Sequence, residues 1–524
     1  MLSDVVGRYL DSLKEREFDA PFIALLRAMG YRNIHFLHGS YEFGKDFIAQ
    51  GEVEGVSTQF VFQSKAGDIN LGTWHECRGQ IDMLRTDAAA HPSFDAKLPR
   101  KAIFVTTGRL VGAAAIAAQQ YRSHLATLGE LDFTSWDKQD LIERIITDPN
   151  VLLAADSEGA FLTLIGQIDE GKAFEADIER YSRRWISSPK TLFALTIEAA
   201  IIAQRLSQTE RLDLSSLLAL SLMRAAWMRS HATDPVDASG RFAADAAAEM
   251  FRHYAWQLFD RCRDEMLDPL KLLRTQGSLA SHVTYPVFCL RVIEILGLLY
   301  LREKPEAHSR SDALGQFIVN FITSNPGAAH PISDRWAVSL IAGVLATAQR
   351  GNIKVIRDLL LETTRWVADR YEHSGLGLAA MHSTPKEEVE RLLGNPFEHI
   401  AIDRRAQSYI ATVVLDLAAI VGLGDVYETA INEFLAVELC PTMIESPDTA
   451  AQYMLQSGEL SFNSNVEYAE SWQPKDGWKV APHHERARTD YYLSRIGRSW
   501  DHLAITFLLR DRHFLATCRH FLTA

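Results

Sequence analysis

The spacing of apolar positions divides the chain into two regions of different secondary structure. Up to about residue 150, short runs with period-two alternation interleave with helical stripes, which predicts a mixed α/β domain over 1–150. From about residue 170, long segments with a 3.6-residue period follow one another, separated by short Gly, Pro and Ser connections. This pattern predicts an all-α domain over 171–524, an irregular bundle or array, after a linker at 151–170.

The first region is predicted to have the element order α-β-β-β-α-β-α-β, followed by a closing helix. The predicted elements are helix 17–29, strands 34–37, 47–49 and 58–65, helix 72–85, strand 101–107, helix 111–127, strand 131–133 and helix 137–147. Turn-forming residues at 50–55 separate the second and third strands, which indicates a β-hairpin.

Polar side chains are predicted to converge at one end of this hairpin. Alternation places Gln63 and Lys65 on one face of the strand, about 7 Å apart along it, while Phe60 and Phe62 take the other face. Asp46 opens the partner strand and is expected to lie opposite them. A carboxylate and an amide oxygen suit Mg²⁺, which binds hard oxygen ligands, water and phosphate. The lysine can stabilise negative charge that develops on phosphorus.

The motif formed by Asp46 and Gln63-Ser64-Lys65 resembles the PD-(D/E)XK nuclease motif, in the variant where glutamine replaces the second acid. It is most similar to the Mrr-type restriction endonuclease family. Flanking residues that agree with that family are Phe18-Asp19, Met29-Gly30-Tyr31, Gly44-Lys45-Asp46 and Phe104-Val105-Thr106-Thr107-Gly108. The resemblance covers roughly the first 150 residues and implies a restriction-endonuclease-like fold for them.

The resemblance also implies an activity and a set of site residues. The expected function is a Mg²⁺- or Mn²⁺-dependent endonuclease that hydrolyses phosphodiester bonds, with DNA favoured as substrate and RNA left open by residue chemistry. Asp46, the Gln63 side chain and the Ser64 carbonyl would hold the metal. Lys65 would orient the attacking water or stabilise the transition state. Asp19 stands where the family usually has glutamate on the first helix, and its side chain is one methylene shorter.

Other interpretations of this stretch stay open. Gly39-x4-Gly44-Lys45 has the spacing of a phosphate-binding P-loop, but Asp46 replaces the required Ser or Thr and a strand is predicted to follow. Asp46, Gln63 and Lys65 are also compatible with an ordinary hairpin that has polar residues on its solvated face. A further alternative is a non-cleaving protein, in which a degenerate nuclease fold binds nucleic acid or a helical domain binds proteins.

Composition and charge limit the class of protein. Hydrophobic residues make up 47% and charged residues 23% of the 524 residues, as in soluble globular proteins. The five cysteines are scattered without a CxxC pair, which argues against a disulfide framework or structural zinc and favours the reducing cytoplasm. The most apolar segments, near 191–203 and 408–424, are too short to span a bilayer, so no membrane partner is predicted. A net charge of −13 counts against DNA binding by bulk electrostatics, although a bound metal adds local positive charge.

The second region is predicted to control when or where the nuclease acts. It has no recognisable catalytic constellation, so we expect it to recruit a protein partner or to bring two copies of the nuclease domain together, in defence against foreign DNA. An irregular insertion at about 456–488 interrupts the helices. There, His483, His484 and Glu485 lack the spacing of a metal site on a helix.

Arginines concentrate at the end of the chain, in helices predicted over 487–505 and 508–522. Two of them, Arg495 and Arg498, are candidate phosphate contacts for nucleic acid. The alternative is a solvated or acid-paired helical face, which is the usual role of a run of charges.

Overall fold

A computed structural model of the chain describes residues 2–37, 44–86, 91–129, 132–147, 159–188, 190–230, 238–265, 280–303, 309–372, 377–393, 405–443, 464–465, 498–510 and 512–523. It contains two compact units. The first unit is Met1–Ala173 with Pro189–Arg205, and the second is Phe174–Ser188 with Leu206–Ala524. A mixed α/β region followed by a large helical region is therefore confirmed.

The elements up to Asp169 are α1 (Leu2–Ser12), α2 (Glu15–Ala28), β1 (Arg32–Phe36), β2 (Phe47–Val53), β3 (Val56–Lys65), α3 (Leu71–Met83), β4 (Arg100–Thr106), α4 (Ala113–Leu128), β5 (Asp132–Trp136), α5 (Lys138–Thr147) and α6 (Gly159–Asp169). Two of these helices differ from the prediction. Helix α1 precedes the predicted first helix, and α6 occupies most of the stretch predicted as a linker.

The five strands form one sheet in the order β1-β2-β3-β4-β5. Strands β1, β2 and β3 pair antiparallel, whereas β3, β4 and β5 pair parallel. The predicted hairpin of β2 and β3 is confirmed, with longer strands than expected, because its turn needs only two residues. Glu54 and Gly55 both have positive φ, 49° and 80°, which gives a two-residue turn whose twist matches that of the strands.

Both faces of the sheet are covered by apolar side chains. On one face, Ile48 and Val61 belong to a buried cluster that includes Trp74 of α3. On the other, Phe22 of α2 packs edge-on against Phe62 at 5.3 Å between ring centroids. The residues predicted to point inward from the helix after the hairpin, namely Trp74, Cys77, Ile81 and Leu84, are all buried in the first cluster.

Helices dominate the rest of the chain. In order they are α7 (Glu175–Arg183), α8 (Leu192–Gln208), α9 (Leu212–Ser230), α10 (Ala238–Glu265) and the helices Ala280–Arg302, Arg310–Ser324, Ala337–Gln349, Ile353–Glu372, Pro385–Leu393, Tyr409–Val421, Gly424–Ala436, Ser499–Leu509 and Leu515–Thr523. Helix 403–421 was predicted to begin too early, because the Ser408 side chain accepts a hydrogen bond from the backbone N–H of Ala411 and caps the helix at 409.

The helical region also contains a small sheet that the sequence did not predict. Its strands are Gln407–Ser408, Cys440–Met443 and Ser464–Asn465. The last of these lies inside the predicted insertion at 456–488, whose other residues are outside the described part of the chain.

One described helix has the length and composition of a membrane span. Residues Val283–Arg302 have a mean hydropathy of 1.6, and 72% of this segment is buried. This helix differs from the two segments predicted to be the most apolar, 191–203 and 408–424. Core helices of soluble proteins have the same features, so the segment is weak evidence for a membrane.

Candidate functional site

The backbone around Asp46 is held by both neighbouring strands. The N–H of Asp46 donates to the carbonyl of Phe62 at 2.8 Å, and the carbonyl of Asp46 accepts from the N–H of Leu37, also at 2.8 Å. The pairing of Phe47 with Phe62 then places Asp46 opposite Gln63, at the end of β3. Asp46 therefore lies opposite Gln63, where the predicted hairpin placed it.

The Asp46 carboxylate is the centre of a compact hydrogen-bond cluster. Its Oδ2 accepts from Gln63 Nε2 at 2.8 Å, from the Ser64 backbone N–H at 2.6 Å and from Ser64 Oγ at 3.0 Å. Hydrogen bonds to an ionised acceptor are about twice as strong as neutral ones. Three donors on one oxygen therefore fix the carboxylate against the end of β3.

Gln63 contributes an unusual buried oxygen. Its side chain is only 2% exposed, and Oε1 has no hydrogen-bond partner among the described residues. A buried oxygen without a partner costs about 1–3 kcal/mol, so it calls for an explanation. Amide and carboxylate oxygens are ligands that Mg²⁺ prefers, and the donor set fits such an ion.

The orientation of the Gln63 amide differs from the predicted ligand arrangement. The amide nitrogen, not the oxygen, faces Asp46. The two oxygens expected to share a metal therefore do not face one another in this arrangement.

Ser64 also makes contacts that were not predicted. Its N–H and hydroxyl both hold the Asp46 carboxylate, while metal binding by its carbonyl stays a prediction. This role of the hydroxyl was missed. A hydroxyl residue between Gln63 and Lys65 was the only signal for it.

Lys65 ends β3 and is partly exposed. The strand end is clamped to the end of β4, since the N–H of Thr107 donates to the Lys65 carbonyl at 3.2 Å and Thr106 Oγ1 donates to the Gly67 carbonyl at 2.6 Å. The loops after the two strands approach so closely that a Cβ on Gly108 would lie 2.1 Å from the carbonyl carbon of Gly67. These contacts fix the end of β3, where Lys65 follows Gln63 by two residues.

Asp19 lies on α2, where its side chain is partly buried. That helix packs against the face of the sheet that carries Phe47 and Phe62. By alternation, Gln63 and Lys65 share the opposite face with Val61. The same alternation places Ser64, whose hydroxyl contacts Asp46, on the face that α2 covers, and the part of Asp19 in the site stays a prediction.

Lys45, the lysine of the P-loop-like spacing, is fully buried. Its Nζ donates to the carbonyl of Met83 at 3.1 Å and to Thr86 Oγ1 at 3.0 Å, at the end of α3. The element after it is β2, as predicted, and not a helix whose N-terminus could bind phosphate. These contacts argue for a structural role.

His35, on β1, has a packing role. The rings of His35 and His91 stack with centroids 3.8 Å apart at an interplanar angle of 25°. Burial, and secondarily the neighbouring His91, lower the pKa of His35. His38, His483, His484 and Glu485 lie outside the described residues.

Three described arginines near the end of the chain, Arg498, Arg510 and Arg512, are paired with acids or buried. Arg498 pairs with Asp245 at 2.5 Å and lies 3.7 Å from Asp501. Arg510 and Arg512 are buried, at 4% and 2% exposure. For these residues the acid-paired interpretation is favoured over phosphate contact, whereas Arg495 is outside the described residues.

The cleft beside Arg498 contains a carboxyl group with a strongly shifted pKa. Burial raises the pKa of Asp501 from 3.8 to about 6, against the opposing effects of Arg498 and of the hydrogen bond from Trp227. The folded protein then binds a proton more tightly than the unfolded chain does. The stabilisation is present below pH 4 and is lost as the pH rises from about 4 to 6.

We therefore expect Asp501→Asn to remove this pH dependence. Relative to the unsubstituted protein, the variant should gain on the order of 3 kcal/mol of unfolding free energy between pH 4 and pH 7, at 1.36 kcal/mol per pKa unit. Denaturant titrations of both proteins across that range give the comparison. Parallel stability curves would contradict the assignment.

The described residues contain no group of three or more His, Cys, Asp or Glu side chains placed to bind a metal. The Asp46 site, with one carboxylate and one amide, is not a group of that kind. No protein-family model, curated protein or solved structure matches the chain. Its function is therefore inferred from its own residues.

Proposed function

We propose that the first unit is a metal-dependent nuclease that hydrolyses phosphodiester bonds, with DNA as substrate. The observation that carries the proposal is the 2.8 Å contact between Gln63 and Asp46 at the end of β3. It brings a carboxylate and an amide together beside Lys65, although Asp46 is 17 residues from Gln63 in sequence. The buried Gln63 Oε1 without a partner among the described residues is a second support.

The order of elements supports a restriction-endonuclease-like fold for this unit. Helix α2, the antiparallel strands β1 to β3, helix α3 and the parallel strand β4 follow one another as α-β-β-β-α-β. This order agrees with the core expected from the PD-(D/E)XK resemblance. In it, the site lies where β2 begins and β3 ends.

Each residue has a distinct role in the proposed reaction. Asp46 supplies the anionic oxygen for Mg²⁺, and Ser64 keeps that carboxylate in place. Gln63 supplies a neutral oxygen once its amide has turned by half a rotation, which exchanges its nitrogen and oxygen. When bound, the metal polarises the phosphoryl oxygen and lowers the pKa of a water molecule. Lys65 stabilises the negative charge of the transition state.

Cleavage of supercoiled plasmid by the full-length protein tests this function. We expect nicked or linear DNA with Mg²⁺ or Mn²⁺ and intact plasmid when EDTA is present, because the site holds one carboxylate and needs the cation. Gel analysis over time gives the rates. Equal cleavage in EDTA, or intact plasmid with both metals, would contradict the proposal.

One observation favours a second function, a nucleic-acid-binding module that does not cut. Asp46 Oδ2 already accepts from three protein donors, and the Gln63 amide presents its nitrogen to it. In that case Asp46 stabilises the hairpin rather than binding a metal. DNA binding measured by fluorescence anisotropy would then be unchanged by EDTA, in a protein that leaves plasmid intact.

We propose further that the helical region regulates the nuclease in the cytoplasm, in defence against foreign DNA. It would do so through a protein partner or a second copy of the chain. The support is the analogy of this architecture with nucleases that carry an added helical domain. The mass of the protein in solution, with and without DNA, distinguishes a second copy from a protein partner.

A further inference from the structure

Arginines line a small cavity in the second unit, and no residue of the Asp46 site belongs to its lining. Its charged lining residues are Arg183, Arg224, Arg335, Arg510, Glu175 and Glu179. They come from α7, α9 and two segments distant in sequence, so the fold assembles the cavity from separate elements. The aliphatic side chains of Ile178 and Leu217 complete part of its wall.

The cavity has an excess of positive charge. Four guanidinium groups face two carboxylates, a difference of +2 in the described lining, within a protein whose net charge is −13. Burial by itself would raise the pKa of Glu175, but Arg291, Arg510 and Arg335 lower it below its usual range. A partly buried carboxylate that stays ionised indicates a positive local potential.

Two of the arginines have donors that the described residues do not use. Arg183 contacts Glu179 through Nη2 at 2.9 Å, and Arg335 contacts Glu175 through Nη2 at 3.0 Å. Each guanidinium has five N–H donors in a planar fork. The Nε and Nη1 groups of both residues make no hydrogen bond or ion pair with the described side chains and remain available for an anion.

Arg510 has a different role, because its Nη donors already bind another side chain of the protein. Its Nη2 and Nη1 donate to Glu294 at 2.8 and 3.1 Å, and it is almost fully buried. It therefore forms a fixed positive wall. The two arginines with unused donors, Arg183 and Arg335, are more exposed, with side-chain exposures of 56% and 26%.

The size of the cavity limits the ligand. Its volume of about 30 Å³ is roughly two to three times what one water molecule needs. This suits a single oxyanion group and excludes a buried nucleoside. A phosphate group matches both the excess of two positive charges and the planar donors of arginine.

We infer that this cavity of the helical region binds the phosphate group of a small anionic ligand through Arg183 and Arg335. The inference is independent of the proposed nuclease activity. It gives the helical region a small-molecule site in addition to any protein partner.

Binding of inorganic phosphate to the full-length protein tests the inference. At constant ionic strength, set with chloride, phosphate should raise the melting temperature in a saturable manner and titrate by calorimetry. Arg183→Gln should weaken binding about tenfold or more, because a hydrogen bond to a charged group is lost. Lys65→Ala should bind phosphate normally, which separates this cavity from the proposed nuclease site.

A matched control lies on the same helix. Arg180 is exposed and pairs with Asp177 one turn away, and it does not line the cavity. Arg180→Gln should leave phosphate binding unchanged. A response that does not saturate, or equal weakening by Arg180→Gln and Arg183→Gln, would overturn the inference. If only Lys65→Ala lost phosphate binding, the phosphate would bind at the hairpin and not in this cavity. That result would also overturn the inference.

Discussion

Lys65→Ala is expected to reduce plasmid cleavage about 100- to 1,000-fold, the loss typical when one group that stabilises transition-state charge is removed. Lys65 ends β3 and is partly exposed, so its truncation leaves the sheet intact. The rate of conversion of supercoiled plasmid in Mg²⁺ is the measurement. Asp46→Ala should lose activity to a similar extent, because the anionic oxygen disappears.

The neighbouring strand offers a matched control for this loss. Lys101 lies on β4 and pairs with Asp132 at 2.8 Å, at the opposite end of the strand from the site. Lys101→Ala should cleave at the unsubstituted rate. Gln63→Glu should retain part of the activity, since it keeps an oxygen at that position and adds charge. Undiminished cleavage by Lys65→Ala would contradict the proposed site.

Glu294→Gln is expected to lower the free energy of unfolding of the helical region by about 3–5 kcal/mol, the cost of breaking a buried ion pair. Glu294 is 1% exposed and accepts from Arg510, from Arg291 at 2.8 Å and from Ser339 at 2.5 Å. Without its charge, two buried guanidinium groups lose their counterion. Denaturant unfolding followed by tryptophan fluorescence gives the difference.

A surface pair in the same region serves as the comparison. Asp425 and Arg357 are in contact at 2.7 Å, with side-chain exposures of 56% and 46%. Asp425→Asn should change the free energy of unfolding by less than about 1 kcal/mol, as exposed pairs do. Similar losses in Glu294→Gln and Asp425→Asn would show that burial of the Glu294 network has no special effect.

Local patterns predicted most of the first unit correctly. Alternation of Phe60, Val61 and Phe62 determined the two faces of β3, and the inward stripe of α3 from Trp74 to Leu84 is buried as expected. Such patterns are reliable because side-chain direction follows directly from the period of a strand or helix. The same periodicity predicted the hairpin and the elements next to it in sequence. It also predicted that Asp46 lies near Gln63.

Patterns of this kind could not predict contacts that depend on distant residues. The periodicity of the helical region shows apolar stripes, but it does not show that Arg510 meets Glu294 across 216 positions. The arginines at the end of the chain therefore looked like a surface face. A charged side chain is buried only where another element supplies its counterion, and no local pattern records that element.

The sequence by itself determined which residues of the candidate site are polar, on which strand each lies and that the hairpin brings them together. Only the tertiary structure decided how they are connected. The Gln63 amide presents its nitrogen to Asp46, and Ser64 donates to the same carboxylate from its backbone N–H and its hydroxyl. The physical reason is that strand position follows from backbone period, whereas rotamer and hydrogen-bond partner depend on the surrounding packing, which forms only when the chain has folded.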